Sequence, residues 1–338
     1  MRIVIDGMGG DNAPAAIVQG SVDAAALIPH EILIVGDEKQ INAELKKYKY
    51  NPEQIKVVHA SDVISSEDAP VRAVRTKTES SMVKGIMMVK EQKADLFISA
   101  GNTGAIMAGG LFILGRIQGI DRPALAATYP MLLGKGVSLL VDSGANVECK
   151  PNNLLEYATM GSIYMKKVMN VAEPRVGLVN VGSEDNKGTT IIRSAYEMLG
   201  RSNLNFIGNV EARDVPKGAC DVIVCDGFVG NVILKLTEGL AWSILKLLKT
   251  KFTTGMVSKM GALLLSGKFK EIKAEFDYSE YGGAPILGVK GAMVKMHGSS
   301  GANAVKNTIL KGIPFVENRV VQIIQDSVLE LEEVIISE

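Results

Sequence analysis

Short strings of glycine and small polar residues carry most of the chemical signal in this sequence. They are Asp6-Gly7-Met8-Gly9-Gly10, Ser99-Ala100-Gly101-Asn102-Thr103-Gly104, Asp142-Ser143-Gly144-Ala145-Asn146, Asn180-Val181-Gly182-Ser183-Glu184-Asp185 and Asp226-Gly227-Phe228-Val229-Gly230-Asn231. Each follows an aliphatic, largely β-branched run. Where a strand ends and a helix begins, such a loop turns free backbone N–H groups toward an anion. Glycine makes up 35 of 338 residues, above the usual ~7%, and the excess sits largely in these loops. One loop alone reads as a tight turn; together they predict several loops converging on one anion-binding cleft.

Other site chemistries fit the residues poorly. The first string resembles the start of a dinucleotide fingerprint, with Asp37 ending the next strand, but the third glycine would fall at Asn12 and Asp11 would meet the pyrophosphate. Asp11 or Asn12 ahead of Pro14 reads instead as helix capping. Gly134-Lys135-Gly136-Val137 lacks the hydroxyl residue and spacing of a P-loop. His30, His59 and His297 stand apart without ligand-like companions, so no metal and no other cofactor is expected. Gly298-Ser299-Ser300-Gly301 has the wrong spacing for a nucleophile elbow. Cys225 beside Asp226 reads as a core thiol, since a neighbouring carboxylate raises its pKa. Arg72 and Arg75, three residues apart after Pro70, share a helix face, either clamping phosphate or simply solvated.

The elements that must hold these loops are strand-like runs at 2–6, 32–35, 55–59, 96–99, 137–142, 176–181, 205–207 and 222–225, alternating with helical segments. That rhythm predicts a mostly parallel α/β sheet within one large unit spanning 1–338. Lysine plus arginine equals aspartate plus glutamate, 37 each, so no general nucleic-acid binding is expected. Cys149, Cys220 and Cys225 have neither disulfide nor zinc spacing. With a strand-like opening from Arg2 to Asp6 and no run of about 18 uninterrupted apolar residues, the expected location is cytoplasmic, with any membrane contact peripheral.

The same loops and several further strings resemble the phosphate acyltransferases of bacterial phospholipid synthesis: IDGMGGDNAP, ISAGNTGA from Ile98, GRIQGIDRPALA from Gly115, LVDSGANVECKP from Leu140, VNVGSEDNKG from Val179, FIGNVEARD from Phe206, CDGFVGNVILKLTEG from Cys225, then YGGAPILGVKG and HGSSGANA. The agreement is collinear over nearly the whole chain. It departs from the family pattern where relatives often carry Asp-Ala-Met-Gly-Gly-Asp-His: Gly7 and Asn12 stand here, removing histidine chemistry at position 12. The resemblance implies a three-layer α/β/α sandwich of the isocitrate and isopropylmalate dehydrogenase type, with two intertwined subdomains on one mixed sheet, and a homodimer.

It also implies a reaction: a phosphate oxygen attacks the thioester carbonyl of acyl-acyl carrier protein, and the carrier's thiolate leaves an acyl phosphate for a downstream glycerol-3-phosphate acyltransferase. On that reaction the phosphate is assigned to Gly101, Asn102, Thr103 and Gly104 with Lys187 as the charge, and the reacting centre to Asp226 and Asn231. Asn180 and Ser183 would line the same cleft. His297 would give a proton to the leaving thiolate or serve as a structural histidine. The alternatives are an acyl-coenzyme A enzyme of the phosphate acetyltransferase kind and a noncatalytic membrane scaffold for lipid synthesis.

From 240 to 275, Trp242, Leu245, Leu248, Phe252, Met256, Met260, Leu263 and Leu264 interleave with lysines. The pattern predicts an amphipathic helical hairpin broken near Gly255. A dimer interface ranks first for its use; contact with an anionic membrane and docking of the acidic carrier protein are compatible with it.

Overall fold

The computed structural model describes residues 1–134, 136–275 and 282–336. Lys135 and Tyr281, which stand in the strings quoted above, lie outside them, as do the side chains of Met256, Lys270 and Lys273.

The first half alternates strands β1 (Arg2–Asp6), β2 (Glu31–Gly36), β3 (Ile55–His59) and β4 (Leu96–Ser99) with helices α1 (Ala15–Ala25), α2 (Glu38–Leu45), α3 (Pro70–Thr76), α4 (Ser81–Lys90) and α5 (Thr103–Gly109). Helical crossovers between buried aliphatic strands produce parallel pairing, and β3-β2-β1-β4 are parallel neighbours. The second half contributes β5 (Ala124–Pro130), β6 (Val137–Val141), α6 (Pro151–Lys167), β7 (Val176–Asn180), α7 (Thr190–Arg201), β8 (Phe206–Glu211), β9 (Val222–Val224) and the long α8 (Gly227–Phe252). After α9 (Met256–Leu264) and α10 (Ser266–Glu275), the chain returns through β10 (Ala284–Leu287) and β11 (Ala292–Lys295) and ends in α11 (Ala302–Glu317) and α12 (Val320–Ile336).

One 11-stranded sheet results, in the order β3-β2-β1-β4-β11-β10-β5-β6-β9-β7-β8. Its outer parts are parallel within themselves. Antiparallel pairings at β11–β10, β10–β5 and β5–β6 make the two parts run in opposite senses. They are also offset along the strand direction, with Ser99 level with Lys295 on one side and Val141 level with Ala126 on the other. The carboxyl-terminal loops of both half-sheets therefore meet near the middle of the sheet. β10 and β11 come late in the chain, yet β11 pairs in parallel with β4 and β10 with β11, beside the strands of the first half.

Strand side chains alternate between faces. Ile3, Ile5, Leu96, Ile98, Leu139, Val141, Val222 and Val224 enter one continuous core under α1, α6, α11 and α12. The intervening residues form two separate cores on the opposite face: Val4, Phe97 and Met293 with α4 and α5, and Leu140, Ile223 and Tyr129 with the start of α8. Each fully buried aliphatic side chain stabilises the fold by about 1.5–3 kcal/mol. The sheet thus has a helix layer on either side, and the division between the two cores leaves a gap over its centre.

Helix α8 is long and apolar enough to cross a membrane by length and composition alone. Its beginning belongs to the fold, however, since Gly227, Gly230 and Ile233 are buried. The part from Leu240 to Phe252 rises only about 20 Å, short of the ~30 Å hydrocarbon core. The chain breaks at Gly255, between α8 and α9, and again at Leu265. Phe252 and Phe269 pack ring to ring at 5.2 Å, while Leu236, Trp242, Leu263 and Leu264 are exposed.

Candidate active site

The loops at the carboxyl ends of four strands wall a cavity of about 310 Å³ at the centre of the sheet. Thr103 opens α5 just after β4, Ser143 and Gly144 come from the loop after β6, Asn231 from the start of α8 just after β9, and His297 and Ser300 from the loop after β11. Leu125 and Ala127 of β5 and Leu234 of α8 supply an apolar wall. A pocket with an apolar body and a few converging polar groups suits a ligand with an acyl part and a charged part.

Two buried carboxylates hold these loops. Asp6 accepts hydrogen bonds from Ser81 Oγ (2.6 Å), Ser99 Oγ (2.7 Å) and Met8 N–H (3.2 Å), and Ser99 Oγ in turn accepts from Gly101 N–H at 3.0 Å. Burial raises its carboxyl above the ordinary aspartate value, opposed by these hydrogen bonds. The β1 and β4 loops are thereby fastened to one group. Gly10, at φ +97°, lets the β1 loop turn so that Asp11 N–H donates to the Gly298 carbonyl at 2.8 Å. Asn12 Nδ2 donates to the carbonyls of Ser299 and Ser300 at 3.0 and 3.3 Å. The capping role expected for this segment is not seen: α1 has no side-chain cap bond. Asn12 instead ties β1 to the loop after β11, a partner far away in sequence. Asp37 does cap a helix, accepting from Gln40 N–H at 2.9 Å.

Asp142 organises the opposite wall. Its Oδ1 accepts from the N–H groups of Leu125, Gly144 and Ala145 (3.2, 3.1 and 3.0 Å), and Oδ2 from Asn146 N–H and Nδ2 (2.7 and 2.9 Å). Burial again raises its carboxyl, with the N–H groups pulling it back. The first turn of α8 lies directly on this loop, and a Cβ at Gly230 would overlap the Asp142 carbonyl oxygen. That close approach explains the glycine, and it brings the next residue, Asn231, to the cavity.

The cavity's charge is predominantly positive. Lys235 and Lys295 line it, and Glu238, the acidic residue on its wall, pairs with Lys235 at 2.9 Å. His297 Nδ1 lies 2.8 Å from Ser299 Oγ and accepts from Ser299 N–H at 3.2 Å, which places the neutral ring's proton on Nε2. Burial, then Lys295 and Lys235, lower its pKa, favouring the neutral ring at pH 7.

Of the residues singled out in the sequence, Thr103, Asn231 and His297 face the cavity. Asn102 is not among the wall residues and spends its side chain on structure: Oδ1 accepts from Ala105 N–H to cap α5, and Nδ2 donates to the carbonyls of Ser65, Ser66 and Asp68. Gly101 donates to Ser99, and Gly104 packs on Pro70. Asp226 caps α8 by accepting from Val229 N–H at 2.8 Å. Asn180 ends β7, Ser183 and Lys187 lie in the loop between β7 and α7, and none of the three is among the wall residues; Lys187 is 3.8 Å from Glu184. Arg72 and Arg75 are exposed on α3, with the Arg75 guanidinium 5.1 Å from the Phe112 ring centre. Cys225 is buried, and burial followed by Asp226 pushes its thiol well above the ordinary value.

The sequence reading passed over Lys295, Lys235, Glu238, Ser143 and Ser300 as site residues. Lys235 and Glu238 stand within the string from Cys225, three residues apart and hence on one helix face, a signal that was available. Lys295 offered none, because its role depends on where β11 enters the sheet.

A family model described as fatty acid synthesis protein matches residues 1–323. A phosphate acyltransferase of Alkaliphilus oremlandii is 54% identical over 331 residues, covering 98% of each chain. One from Clostridioides difficile is 47% identical over 333 residues, again covering 98% of each. Among solved structures, a phosphotransacetylase from Streptococcus pyogenes aligns with a TM-score of 0.61 at 15% identity, covering 94% of each chain. A branched-chain phosphotransacylase from Enterococcus faecalis aligns at 0.57 and 15% identity, covering 94% of this chain and 99% of the other. At that identity the structural likeness concerns the fold, which is the α/β/α arrangement expected from the sequence.

Proposed function

The chain belongs to the fatty acid synthesis protein family, among the phosphate acyltransferases, and on that premise we propose that it transfers a fatty acyl group from acyl carrier protein to inorganic phosphate. The observation that carries this reading is the central cavity, where an apolar wall meets Thr103, Ser143, Asn231, His297 and two lysines.

In the proposed reaction a phosphate oxygen forms a bond to the thioester carbonyl carbon, whose π electrons move onto oxygen. Collapse of the tetrahedral oxyanion breaks the carbon–sulfur bond and releases the carrier's thiolate, which takes up a proton. Phosphate is nucleophilic at neutral pH, so the protein's task is to orient two reactants and stabilise the oxyanion. Asn231 is assigned to the oxyanion; the N–H groups of residues 143–146 are already committed to Asp142 and the Leu125 carbonyl and hold the wall behind it. Thr103, at the start of α5, is assigned to phosphate, with Gly101, Asn102 and Gly104 shaping its loop. Neutral His297 carries a proton on Nε2 and is assigned as donor to the thiolate.

Asp226 is assigned to positioning Asn231 through its cap on α8. Lys187, Asn180 and Ser183 are assigned to the carrier side of the cleft. The exposed bond from Lys187 to Glu184 is worth ~1 kcal/mol or less, so exchanging it for a bound anion costs little. Arg72 and Arg75 are assigned to the outer rim.

The exposed apolar residues of α8 and α9 support a homodimer built on this arm, with its lysines available to an anionic membrane or the acidic carrier. A cytoplasmic enzyme resting on the inner membrane face would then deliver its acyl phosphate to a glycerol-3-phosphate acyltransferase. The test is thiol release from palmitoyl-acyl carrier protein with and without phosphate, with hydroxylamine trapping the product and palmitoyl-coenzyme A run in parallel. Phosphate-dependent release with trapped acyl hydroxamate supports the reading. Faster turnover of the coenzyme A thioester would move the substrate to acyl-coenzyme A, and release without phosphate would make the protein a thioesterase.

A further inference from the structure

Lys295 ends β11, where strand alternation sends Val294 into the continuous core and Met293 into the opposite one. Lys295 follows Met293 on that face, and its side chain lines the cavity. Among the described residues no carboxylate lies within ion-pair distance of it; Glu238, the acid on the cavity wall, is taken by Lys235. The wall therefore carries two ammonium groups against one carboxylate. Around them stand O–H and N–H donors: Thr103, Ser300 and the Asn231 amide, whereas the Ser143 hydroxyl on the same wall already donates to the Leu125 carbonyl. A partly buried ammonium with no carboxylate in direct ion-pair contact is costly, and burial, then the nearby Lys235, lower its pKa against the opposing pull of Glu238. A wall of donors with excess positive charge suits a compact oxyanion and gives little to a neutral ligand.

We infer that Lys295 is the cation that seats inorganic phosphate in the central cavity, holding it as acceptor for the acyl group. This deepens the proposed acyl transfer and rests on it for the fate of the phosphate, though not for its binding. The apolar wall of Leu125, Ala127 and Leu234 leaves room beside the phosphate for the start of an acyl chain. The same chemistry would suit the phosphodiester of the carrier's prosthetic arm, and the two differ in which substrate's KM depends on Lys295.

The test titrates inorganic phosphate into the free full-length protein by calorimetry, comparing wild type with Lys295→Gln and Lys295→Arg. Glutamine should weaken binding roughly ten- to hundredfold, the range of a charge-assisted hydrogen bond, and arginine should restore much of it. Thermal unfolding guards against misfolding: without phosphate the glutamine variant should unfold no lower than wild type, because an unpaired cation has gone. Phosphate should raise the Tm of wild type but not of the variant. In turnover, KM for phosphate should rise and that for the carrier substrate stay put. The opposite split, or phosphate affinity unchanged in a folded glutamine variant, overturns the inference. Lys295-dependent phosphate binding in a protein that makes no acyl phosphate would overturn the proposed reaction and leave this site standing.

Discussion

Replacing Asp142 by asparagine changes one atom in a group that takes five hydrogen bonds and should damage both stability and catalysis. The amide can keep its oxygen toward Leu125, Gly144 and Ala145, but its NH₂ must then face Asn146 N–H and Nδ2, both of which donate. Two hydrogen bonds to a carboxylate, about 1.5–3 kcal/mol each, are lost. Relief from burying the charge returns part of that, leaving a net loss of roughly 2–4 kcal/mol and a fall in Tm of roughly 5 °C. The freed loop carries Ser143 and Gly144 and underlies Asn231, so kcat should fall about tenfold or more while KM for phosphate changes less. Urea denaturation with steady-state kinetics measures both. Asp37→Asn is the control, since it caps α2 away from the cavity and asparagine caps as well as aspartate. An Asp142→Asn protein with the Tm and kcat of wild type would refute the reasoning.

Gly230→Ala should be poorly folded or lose several kcal/mol, because its Cβ would overlap a backbone carbonyl that cannot rotate away; a denaturation midpoint like that of wild type would contradict this. Asn102→Ala should lose about 2 kcal/mol by removing the α5 cap and three donations. Asn102→Asp should be at least as unstable, because it keeps the cap but turns an anion toward three carbonyl oxygens, and chemical denaturation ranks the two. Glu156, buried on α6, accepts from Asp121 N–H and Asn152 Nδ2, yet burial pushes its pKa up from 4.5 to about 7. Its folded value lies above the unfolded one, so its contribution is complete below about 4.5 and is lost as pH rises through about 7. Thermal scans should show up to about 3 kcal/mol of such loss, flattened in Glu156→Gln.

The legible parts of the fold were those whose signal is local. β1, β2, β4, β6, β7 and β9 are short aliphatic runs buried on both faces, and they stand out against glycine loops. β5, β10 and β11 were not read: they are alanine-rich or only four residues long, and two of them contain proline. These strands reverse the sheet's direction and bring the two sets of loops together. Converging loops could be expected from glycine spacing, but the identity of the convergence could not. Asn102 and Asp226 looked like substrate groups because a cap and a ligand use the same polar atoms at the same place on a helix. Lys295 was invisible because a lone lysine after Met-Val becomes a cavity residue only once β11 is inserted between β4 and β10.

The most direct test of acyl transfer to phosphate follows the oxygen atoms. The full-length protein would be given palmitoyl-acyl carrier protein and phosphate labelled with ¹⁸O at every position, and the product examined by mass spectrometry. If phosphate oxygen attacks the thioester carbonyl, the acyl phosphate retains every labelled oxygen, including the one bridging to carbon. Free fatty acid carrying solvent oxygen, formed at the same rate whether or not phosphate is present, would contradict the account.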